Sequence, residues 1–296
     1  MCGIVGLFLK DPALEPELGR LTAAMLATMS DRGPDSAGFA VYGAGESGQT
    51  KLTLRGPSVS AIEETAAEIE AAFPGAHATL HDTHAVIAIP DQEVAKLIEW
   101  LEQETPDTEI VGRGNRMEIF KEVGLPQKVA ERFGLATMRG THAIGHTRMA
   151  TESAVTTDGA HPYSTGRDQC LVHNGSLSNH NNLRRELKRE GLKFETENDT
   201  EVAAGYLTWR MREGLSLGDA LKVSLDDLDG FYTFVVGTEN GFGVLRDGIA
   251  CKPAIMAETD QYVAFGSEYR ALAELPGIET ARVWEPEPAT VYFWER

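Results

Sequence analysis

The second residue, a cysteine at the head of a long apolar run, constrains the fold of this chain more than any other feature. Residues 2–9 are apolar and partly β-branched, which predicts a buried strand that begins almost at the N-terminus. If Met1 is removed, Cys2 carries both a thiol and an α-amine, whose ordinary pKa of about 7.7–8.0 suits it to act as base for that thiol. The alternative is a structural cysteine, because free cysteines are among the most buried residues.

Composition limits the classes of protein to consider. The chain has 296 residues, 42% of them apolar, enough for one large or two modest domains. A net charge of −18 would repel nucleic acid and anionic membranes, so we expect neither as a partner. Cys2, Cys170 and Cys251 are odd in number and widely spaced, which favours a reducing compartment without disulfides or a zinc site. Without a signal peptide or a long apolar run, we expect a soluble, cytoplasmic protein.

Hydrophobic patterns predict an α+β layered fold, because strand-rich stretches alternate with groups of helices. Between residues 57 and 140 the pattern of predicted helices and strands changes. This segment is expected to be an inserted small α/β subdomain between core segments 1–56 and 141–296. A Gly-rich turn at 43–48 is expected to join strands 39–42 and 51–55. The predicted helices span 14–29, 62–73, 92–103, 126–133, 179–190, 200–212, 217–228 and 268–275, and further strands lie at 85–89, 109–111, 117–120, 144–149, 170–173, 232–236, 243–246, 254–257, 262–264 and 291–294.

Polar residues end several apolar strands, where a hydrophobic core has no use for them. The Arg148 guanidinium could hold a carboxylate with two parallel hydrogen bonds, or form a structural ion pair. The Asn174 amide and the Gly175 N–H could both donate to an oxyanion, although Asn-Gly is also a common turn. Asp199 precedes a helix, so it could receive an ammonium group or act as N-cap.

The roles of two further groups of polar residues have more than one interpretation from the sequence. The segment from Arg32 to Asp35 encloses a rigid Gly-Pro pair and is either a simple turn or a loop whose charged ends brace a site. The histidines at 77, 81 and 84 could suggest metal ligands, but on a strand His84 faces away from the other two. Since no cysteine or close carboxylate set completes a shell, we expect no metal.

Together these clusters resemble the class II glutamine amidotransferases, which implies a four-layer αββα sandwich of the N-terminal nucleophile hydrolase type. The resemblance covers residues 1–56 and 141–275, and the ending Arg246-Asp247 and Gly266-Ser267-Glu268 is also similar. It rests on five motifs in the family's order: Met1-Cys2-Gly3-Ile4-Val5-Gly6, Arg32-Gly33-Pro34-Asp35, residues 145–151, His173-Asn174-Gly175 and Asn198-Asp199-Thr200-Glu201.

The resemblance implies a role for each matching residue. Cys2 would attack the carboxamide of glutamine with its own α-amine moving the proton, while Asn174 and Gly175 stabilise the oxyanion and ammonia leaves. Arg148 would hold the substrate's α-carboxylate and Asp199 its α-ammonium group. The remaining expectations by resemblance are substrate binding by Thr151 and His173, bracing of the site by Arg32 and Asp35, and no cofactor on this chain.

The chain departs from the family pattern in two ways. Where many members carry an aromatic residue and a histidine around the arginine motif, this chain has Met149 and Glu152, which puts the substrate-covering loop in doubt. The connection from Asp35 to His146 is also much longer than usual. With this insert, the chain looks like the separate amidotransferase subunits of archaeal-type glutamate synthase and of N-methylglutamate synthase.

That resemblance implies glutamine as substrate and synthase subunits as partners, with flavin and iron–sulfur groups on a partner chain. Since core and insert account for the residues given, we expect the synthase domain on a separate chain. Two alternatives stay open: a free-standing amidase with the same nucleophile, and a silent regulatory module that senses glutamine or glutamate.

Overall fold

A computed structural model of the protein describes residues 2–150 and 155–296. Its strands are β1 (Gly3–Leu9), β2 (Ser36–Tyr42), β3 (Gln49–Arg55), β4 (His77–His81), β5 (His84–Pro90), β6 (Glu109–Gly114), β7 (Met117–Val123), β8 (His142–Arg148), β9 (Tyr163–Gly166), β10 (Gln169–Leu177), β11 (Gly230–Gly237), β12 (Gly241–Arg246), β13 (Ile255–Glu258), β14 (Tyr262–Gly266), β15 (Arg282–Trp284) and β16 (Thr290–Glu295). Its α-helices are α1 (Leu18–Ala27), α2 (Val59–Ala72), α3 (Val94–Glu104), α4 (Pro126–Arg132), α5 (His180–Arg189), α6 (Asp199–Arg212) and α7 (Leu217–Asp227).

Two antiparallel sheets packed face to face form the centre of the molecule. The first has the order β15-β13-β14-β1-β8-β2-β7, and the second has the order β16-β12-β11-β10-β9. Ile4 and Ile144 of the first sheet pack against Val172, Val235 and Phe242 of the second, all fully buried. This apolar layer removes one face of each sheet from water, which is the main stabilisation available to such strands.

Helices cover the outer face of each central sheet. On the seven-stranded sheet, α1 buries Leu18, Leu21 and Met25, which recur three or four residues apart and so share one helix face. The helix α4 joins the same cluster. On the five-stranded sheet, the covering helices are α5, α6 and α7. The order of layers is therefore helix, sheet, sheet, helix, and the predicted four-layer αββα sandwich is confirmed.

A third sheet, β4-β5-β3-β6, lies outside this sandwich and carries helices α2 and α3. Its own core includes Leu52, Ile62, Ile87 and Leu97, all fully buried. Residues 43–48 join β2 to β3 as predicted, but the two strands lie in different sheets, because β3 pairs with β5 and β6. Each strand pairs where its apolar face finds a partner, and this is not a local property.

The predicted boundaries of the insert, 57 and 140, do not coincide with the boundaries of this third sheet. Its strands run from Gln49–Arg55 to Glu109–Gly114. The next strand, Met117–Val123, pairs with β2 in the central sheet, with Phe39 opposite Phe120, and α4 packs on α1. By sheet membership the inserted unit is therefore 49–114, and residues 117–140 belong to the sandwich.

Smaller differences concern short elements. The helix predicted at 268–275 is wrong, because only a single 3₁₀ turn forms there, at Tyr269–Ala271. The strands His77–His81, Tyr163–Gly166 and Arg282–Trp284 were not predicted; each is short or largely exposed, so its hydrophobic pattern is weak. Among the helices within residues 2–150 and 155–296, none is long and apolar enough to cross a membrane.

Candidate active site

Cys2 lies at the start of the central strand β1, where two neighbouring segments hold the backbone that follows it. The Gly3 N–H donates to Thr147 Oγ1 at 3.2 Å, and the Ile4 N–H donates to Ser267 Oγ at 2.9 Å. The Cys2 side chain is partly exposed, and its Sγ lies 3.9 Å from the Met149 carbonyl oxygen. A thiol at this position is fixed by a rigid sheet and still accessible to a ligand.

The Cys2 carbonyl oxygen accepts hydrogen bonds from two side chains that are distant in sequence. Arg32 Nε donates to it at 3.0 Å, and Asn174 Nδ2 donates to it at 3.2 Å. The second partner of the Asn174 amide is Ser267 Oγ at 3.3 Å. Arg32 is itself held by Glu268 at 2.6 Å. Four segments of the chain thus meet around one residue.

Asp35 braces the end of β8 beside this cluster. Its backbone N–H donates to the Arg148 carbonyl at 3.1 Å, and its Oδ2 accepts from the Ala150 N–H at 2.8 Å. The neighbouring Gly33 packs directly on this strand, since a Cβ there would lie 2.4 Å from the Thr147 carbonyl carbon. Arg32 and Asp35, predicted to brace the site, thus contact Cys2 and the end of β8 from a loop whose glycine lies directly on that strand.

Asn174 and Gly175 lie inside strand β10 and do not form a turn. They pair with Thr233 and Tyr232 of β11. Gly175 has φ of +145°, and a Cβ there would come within 1.9 Å of the Phe231 carbonyl oxygen. The position accepts only glycine, and this irregular backbone sits one residue after the amide that contacts Cys2.

Asp199 is the first residue of α6 and connects that helix to the end of β10. Its Oδ2 accepts from the Leu177 N–H at 2.9 Å, and its side chain is 22% exposed. The N-cap is Asn198, whose Oδ1 accepts from the Thr200 N–H at 2.9 Å. The N-cap interpretation of Asp199 is therefore wrong, because the cap is satisfied one residue earlier.

Arg148 is the last residue of β8 and is 92% buried. Its guanidinium packs against Gly159, where a Cβ would lie only 3.1 Å from Nη1. Thr151, predicted to bind substrate, lies outside the described residues. Of the other residues predicted for the site, Cys2, Arg32 and Asn174 are joined through the Cys2 carbonyl, and Asp35 is joined to Arg148 through the backbone.

A buried histidine cluster lies behind the site, and only one of its members was predicted. Thr200 Oγ1 contacts His161 Nε2 at 2.7 Å and His173 Nδ1 at 3.0 Å. His146 Nε2 contacts the His173 carbonyl at 3.1 Å, and its ring lies 4.0 Å from that of His161. His146 shares a strand face with Arg148, two residues away, which is the sequence signal that could have revealed it.

Burial controls the ionisation of these rings. It lowers the pKa of His146 to about 3, against a smaller raising contribution from its hydrogen bond to the His173 carbonyl. Burial also lowers the pKa of His161 far below its ordinary value, and that of His173, where the Asp199 carboxylate opposes the effect. The cluster is therefore uncharged at neutral pH, and the charges that act on it include those of Arg148, Asp199, Lys121 and Lys252.

No group of three or more metal-ligating side chains occurs in the described part of the chain. His77 and His81 lie on β4, while His84 is buried on β5 against Phe133. The side chains described at the site supply a thiol and hydrogen-bond donors, with an adjacent α-amine if Met1 is absent.

Comparison with known proteins agrees with this geometry. The chain is 63% identical over 297 residues to the glutamine amidotransferase-like protein GlxB of Rhizobium meliloti, covering 100% of this chain and 98% of that protein. It is also 33% identical over 307 residues to a protein of Methanothermobacter thermautotrophicus that carries the family's name, covering 100% of both. The chain belongs to the class II glutamine amidotransferases. A family model described as a glutamine amidotransferase domain matches residues 146–274.

A solved structure supports the fold of this amidotransferase. The allosteric regulatory enzyme of purine biosynthesis superposes with a TM-score of 0.65 at 21% identity, covering 99% of this chain and 47% of that one. The amidotransferase therefore spans about half the length of that enzyme. At this identity the likeness concerns the fold, so the enzyme's substrates and partners are not transferred.

Proposed function

We propose that this chain hydrolyses glutamine to glutamate and ammonia with Cys2 as nucleophile, and that it supplies the ammonia to a glutamate-synthase-like or N-methylglutamate-synthase-like partner. The observation that carries the first half is the convergence of Arg32 and Asn174 on the Cys2 carbonyl, at 3.0 and 3.2 Å. A structural cysteine needs no such arrangement, whereas a nucleophile must be held in one orientation.

In the proposed reaction, removal of Met1 exposes the α-amine of Cys2, which takes the thiol proton as the sulfur attacks the glutamine carboxamide carbon. The resulting tetrahedral intermediate carries a negative oxygen. When its carbon–nitrogen bond breaks, the nitrogen takes the proton and leaves as ammonia, and a thioester to Cys2 remains. Water then attacks the thioester, releasing glutamate and restoring the thiol.

Asn174 is the proposed side-chain donor to the negative oxygen, together with the Gly175 N–H. The two present partners of Asn174 Nδ2 are Cys2 O and Ser267 Oγ, at 3.2 and 3.3 Å. One of these long contacts would be exchanged for the oxyanion, which is the stronger acceptor because it is charged. The exchange favours the intermediate over the ground state.

We propose that Arg148 binds the α-carboxylate of glutamine and that Asp199 binds its α-ammonium group. Both charges act on the histidine cluster, since Arg148 lowers the pKa of His146 and Asp199 opposes the lowering of the pKa of His173. Among the histidines, His173 connects the two roles, since its carbonyl contacts His146 and its ring contacts Thr200 next to Asp199. Glutamine is selected over simpler amides because both charges must be matched.

The test of the nucleophile uses the chain's own cysteines as a matched pair. Cys2→Ala should abolish ammonia release from glutamine, while Cys251→Ala should leave it unchanged, because Cys251 is exposed and outside the site. Mass spectrometry of the active wild-type protein should show that Met1 is absent and that a glutamine-analogue electrophile such as 6-diazo-5-oxo-norleucine labels Cys2. Full turnover by a chain that retains Met1 would contradict the mechanism.

The proposed partner is tested separately. A committed ammonia source gains from docking on its acceptor enzyme, because ammonia released into water is mostly protonated at neutral pH. Co-purification from the native host should recover synthase chains, with flavin and iron–sulfur groups on those chains. Recovery of the protein alone, with full glutaminase turnover that co-encoded chains do not stimulate, would favour a free-standing amidase.

A further inference from the structure

A cleft of about 520 Å³ lies where the third sheet meets the sandwich, away from Cys2. One wall is β6 of the third sheet, and the other walls are β9 and the C-terminal end of α6. This volume is within the range of roughly 300–1,000 Å³ that is typical of small-molecule sites. The cleft exists only because the inserted unit and the sandwich are side by side.

Three arginines line this cleft, one from each wall: Arg113 on β6, Arg167 after β9 and Arg212 at the end of α6. None of its lining residues is acidic, although the whole chain has 45 acidic residues against 27 Lys and Arg. A local concentration of positive charge against so negative a background attracts anions.

The arginines of the cleft are weakly engaged by the protein itself. Within residues 2–150 and 155–296, Arg113 and Arg212 have no ion pair, while Arg167 has only long contacts, 3.6 Å to Asp91 and 3.9 Å to Asp168. Asp168 is already occupied, because its carboxylate accepts the N–H groups of Asn115, Arg116 and Met117. The guanidinium groups are thus available to a ligand, and their planar fork matches carboxylate or phosphate.

The wall of the cleft is hydrogen-bonded to α6, which also carries Asp199. Thr165 Oγ1 contacts Thr208 Oγ1 at 2.8 Å, Thr208 contacts Gln169, and Gln169 Nε2 donates to the Ala204 carbonyl at 3.2 Å. At about 1.5 Å per residue, the two ends of this helix are about 20 Å apart. A ligand that fixes the C-terminal end of α6 therefore acts on a rigid element that ends at the site.

We propose that this cleft binds a small organic anion bearing a carboxylate or phosphate group, and that its occupancy is transmitted through α6 to the active site. The effect of the bound anion on the active site rests on the proposed function only where that effect is measured as glutamine turnover. The ligand stabilises the contact between the third sheet and the sandwich, because it binds arginines that belong to both. Coupling requires that it bind one arrangement of α6 better than another.

Binding is measured first, because it does not depend on catalysis. Pyrophosphate and citrate are titrated at constant ionic strength into the full-length protein, with calorimetry and thermal unfolding as readouts. We expect saturable binding that weakens at least tenfold in the Arg113→Gln/Arg212→Gln double variant. Arg185→Gln, an exposed arginine on α5 outside the cleft, should bind like the wild type.

Transmission is measured by amide hydrogen exchange along α6 with and without the probe, and by the KM for glutamine. We expect slower exchange at both ends of α6 and a changed KM. Binding without any change in exchange at residues 199–203 would overturn the transmission. Absence of saturable binding, equal binding by the double variant, or binding of an acidic peptide but of neither small anion would overturn the assignment of the cleft. If the probe binds but the protein does not turn over glutamine, the proposed glutaminase activity is contradicted and the assignment of the cleft is not.

Discussion

At the scale of single residues, the site depends on side chains that hold one another. Asn174 is in contact with Cys2 and Ser267, and Ser267 in turn receives the Ile4 N–H. Asn174 is 94% buried, so removing its amide leaves partners that water reaches poorly. We therefore expect substitutions at such positions to affect the proposed reaction more than their individual contact energies suggest.

Asn174 and Asp199 should give opposite kinetic signatures. Asn174→Ala removes the proposed oxyanion donor, so kcat for glutamine should fall by about 10²-fold or more with little change in KM. Asp199→Asn keeps an oxygen for the Leu177 N–H but loses the charge, so KM should rise by about tenfold or more, the value of one charge-assisted contact. Steady-state kinetics of both variants distinguish the roles. A change in KM alone for Asn174→Ala would remove it from the oxyanion site.

The buried histidines should make stability fall on mild acidification. Burial lowers the pKa of His84, His142 and His146 to about 3 in each case. In the unfolded chain each titrates near 6.5, so between these values the unfolded state binds more protons. The stabilisation is therefore complete above about pH 6.5 and is lost progressively as the pH falls towards 3.

The free energy of unfolding, measured with urea, should thus be lower at pH 5.5 than at pH 7.5, a window in which ordinary carboxylates stay charged. The His142→Gln variant should show a pH dependence smaller by about half a proton averaged over this window, since it removes one buried neutral ring whose unfolded form titrates near 6.5. A stability that does not change between these two pH values would contradict the burial of neutral rings.

At the scale of secondary-structure elements, β10 positions the site through an irregular backbone. Gly175 is followed by two more residues of the strand, and the second of these, Leu177, donates its N–H to Asp199 at the start of α6. One strand therefore carries the proposed oxyanion donors and fixes the helix that carries the proposed ammonium ligand. A change in its register would move both.

Gly175→Ala should be more damaging than a glycine replacement that meets no neighbour. Its Cβ would lie 1.9 Å from the Phe231 carbonyl, so β10 and β11 must separate locally, at a cost of several kcal/mol including the strained φ. Gly214→Ala is the matched control, with φ of +98° and nothing within 4 Å, and should cost only about 1 kcal/mol. Urea unfolding and glutamine turnover of both variants test this. Equal stabilities would show that β10 relaxes freely.

At the scale of the whole molecule, the inserted unit is connected to the sandwich at one place, between the adjacent ends of β2 and β7. Tyr42 of β2 and Met117 of β7 are directly opposite, and the Gly43 N–H donates to the Arg116 carbonyl at 3.0 Å. Residues 44–115 leave and return to the central sheet at a separation that a two-residue turn can span. The third sheet has its own core and is thus separable in principle.

Two deletions should therefore have opposite outcomes. Replacing residues 44–115 by Asn-Gly should leave a folded sandwich, because β2 and β7 become a simple hairpin. Deleting 58–139 with a short linker should prevent folding, because it removes β7 and α4 from the central sheet and leaves β3 without neighbours. Circular dichroism and urea unfolding distinguish the two. A folded second variant with an unfolded first would contradict the assignment of 117–140 to the sandwich.

The sequence alone predicted what depends on neighbouring residues and on ordered motifs. The apolar run after Cys2, the three- and four-residue spacing in α1 and the breaks at Ser30–Asp35 are local patterns, and the structure has strand, helix and loop there. The local patterns indicated an α+β layered fold, and the resemblance carried by the five ordered motifs implied the four-layer sandwich.

Only the tertiary structure decided which distant segments meet. These meetings fix the partners of β3, the limits of the inserted unit and the strand conformation of Asn174-Gly175, because each depends on a pairing that the local pattern leaves open. The local pattern also leaves open the meeting of His146, His161 and His173 around Thr200. The physical reason is that a strand's alternation specifies which face is buried but not which strand lies beside it, since that choice is made by the packing of the whole core.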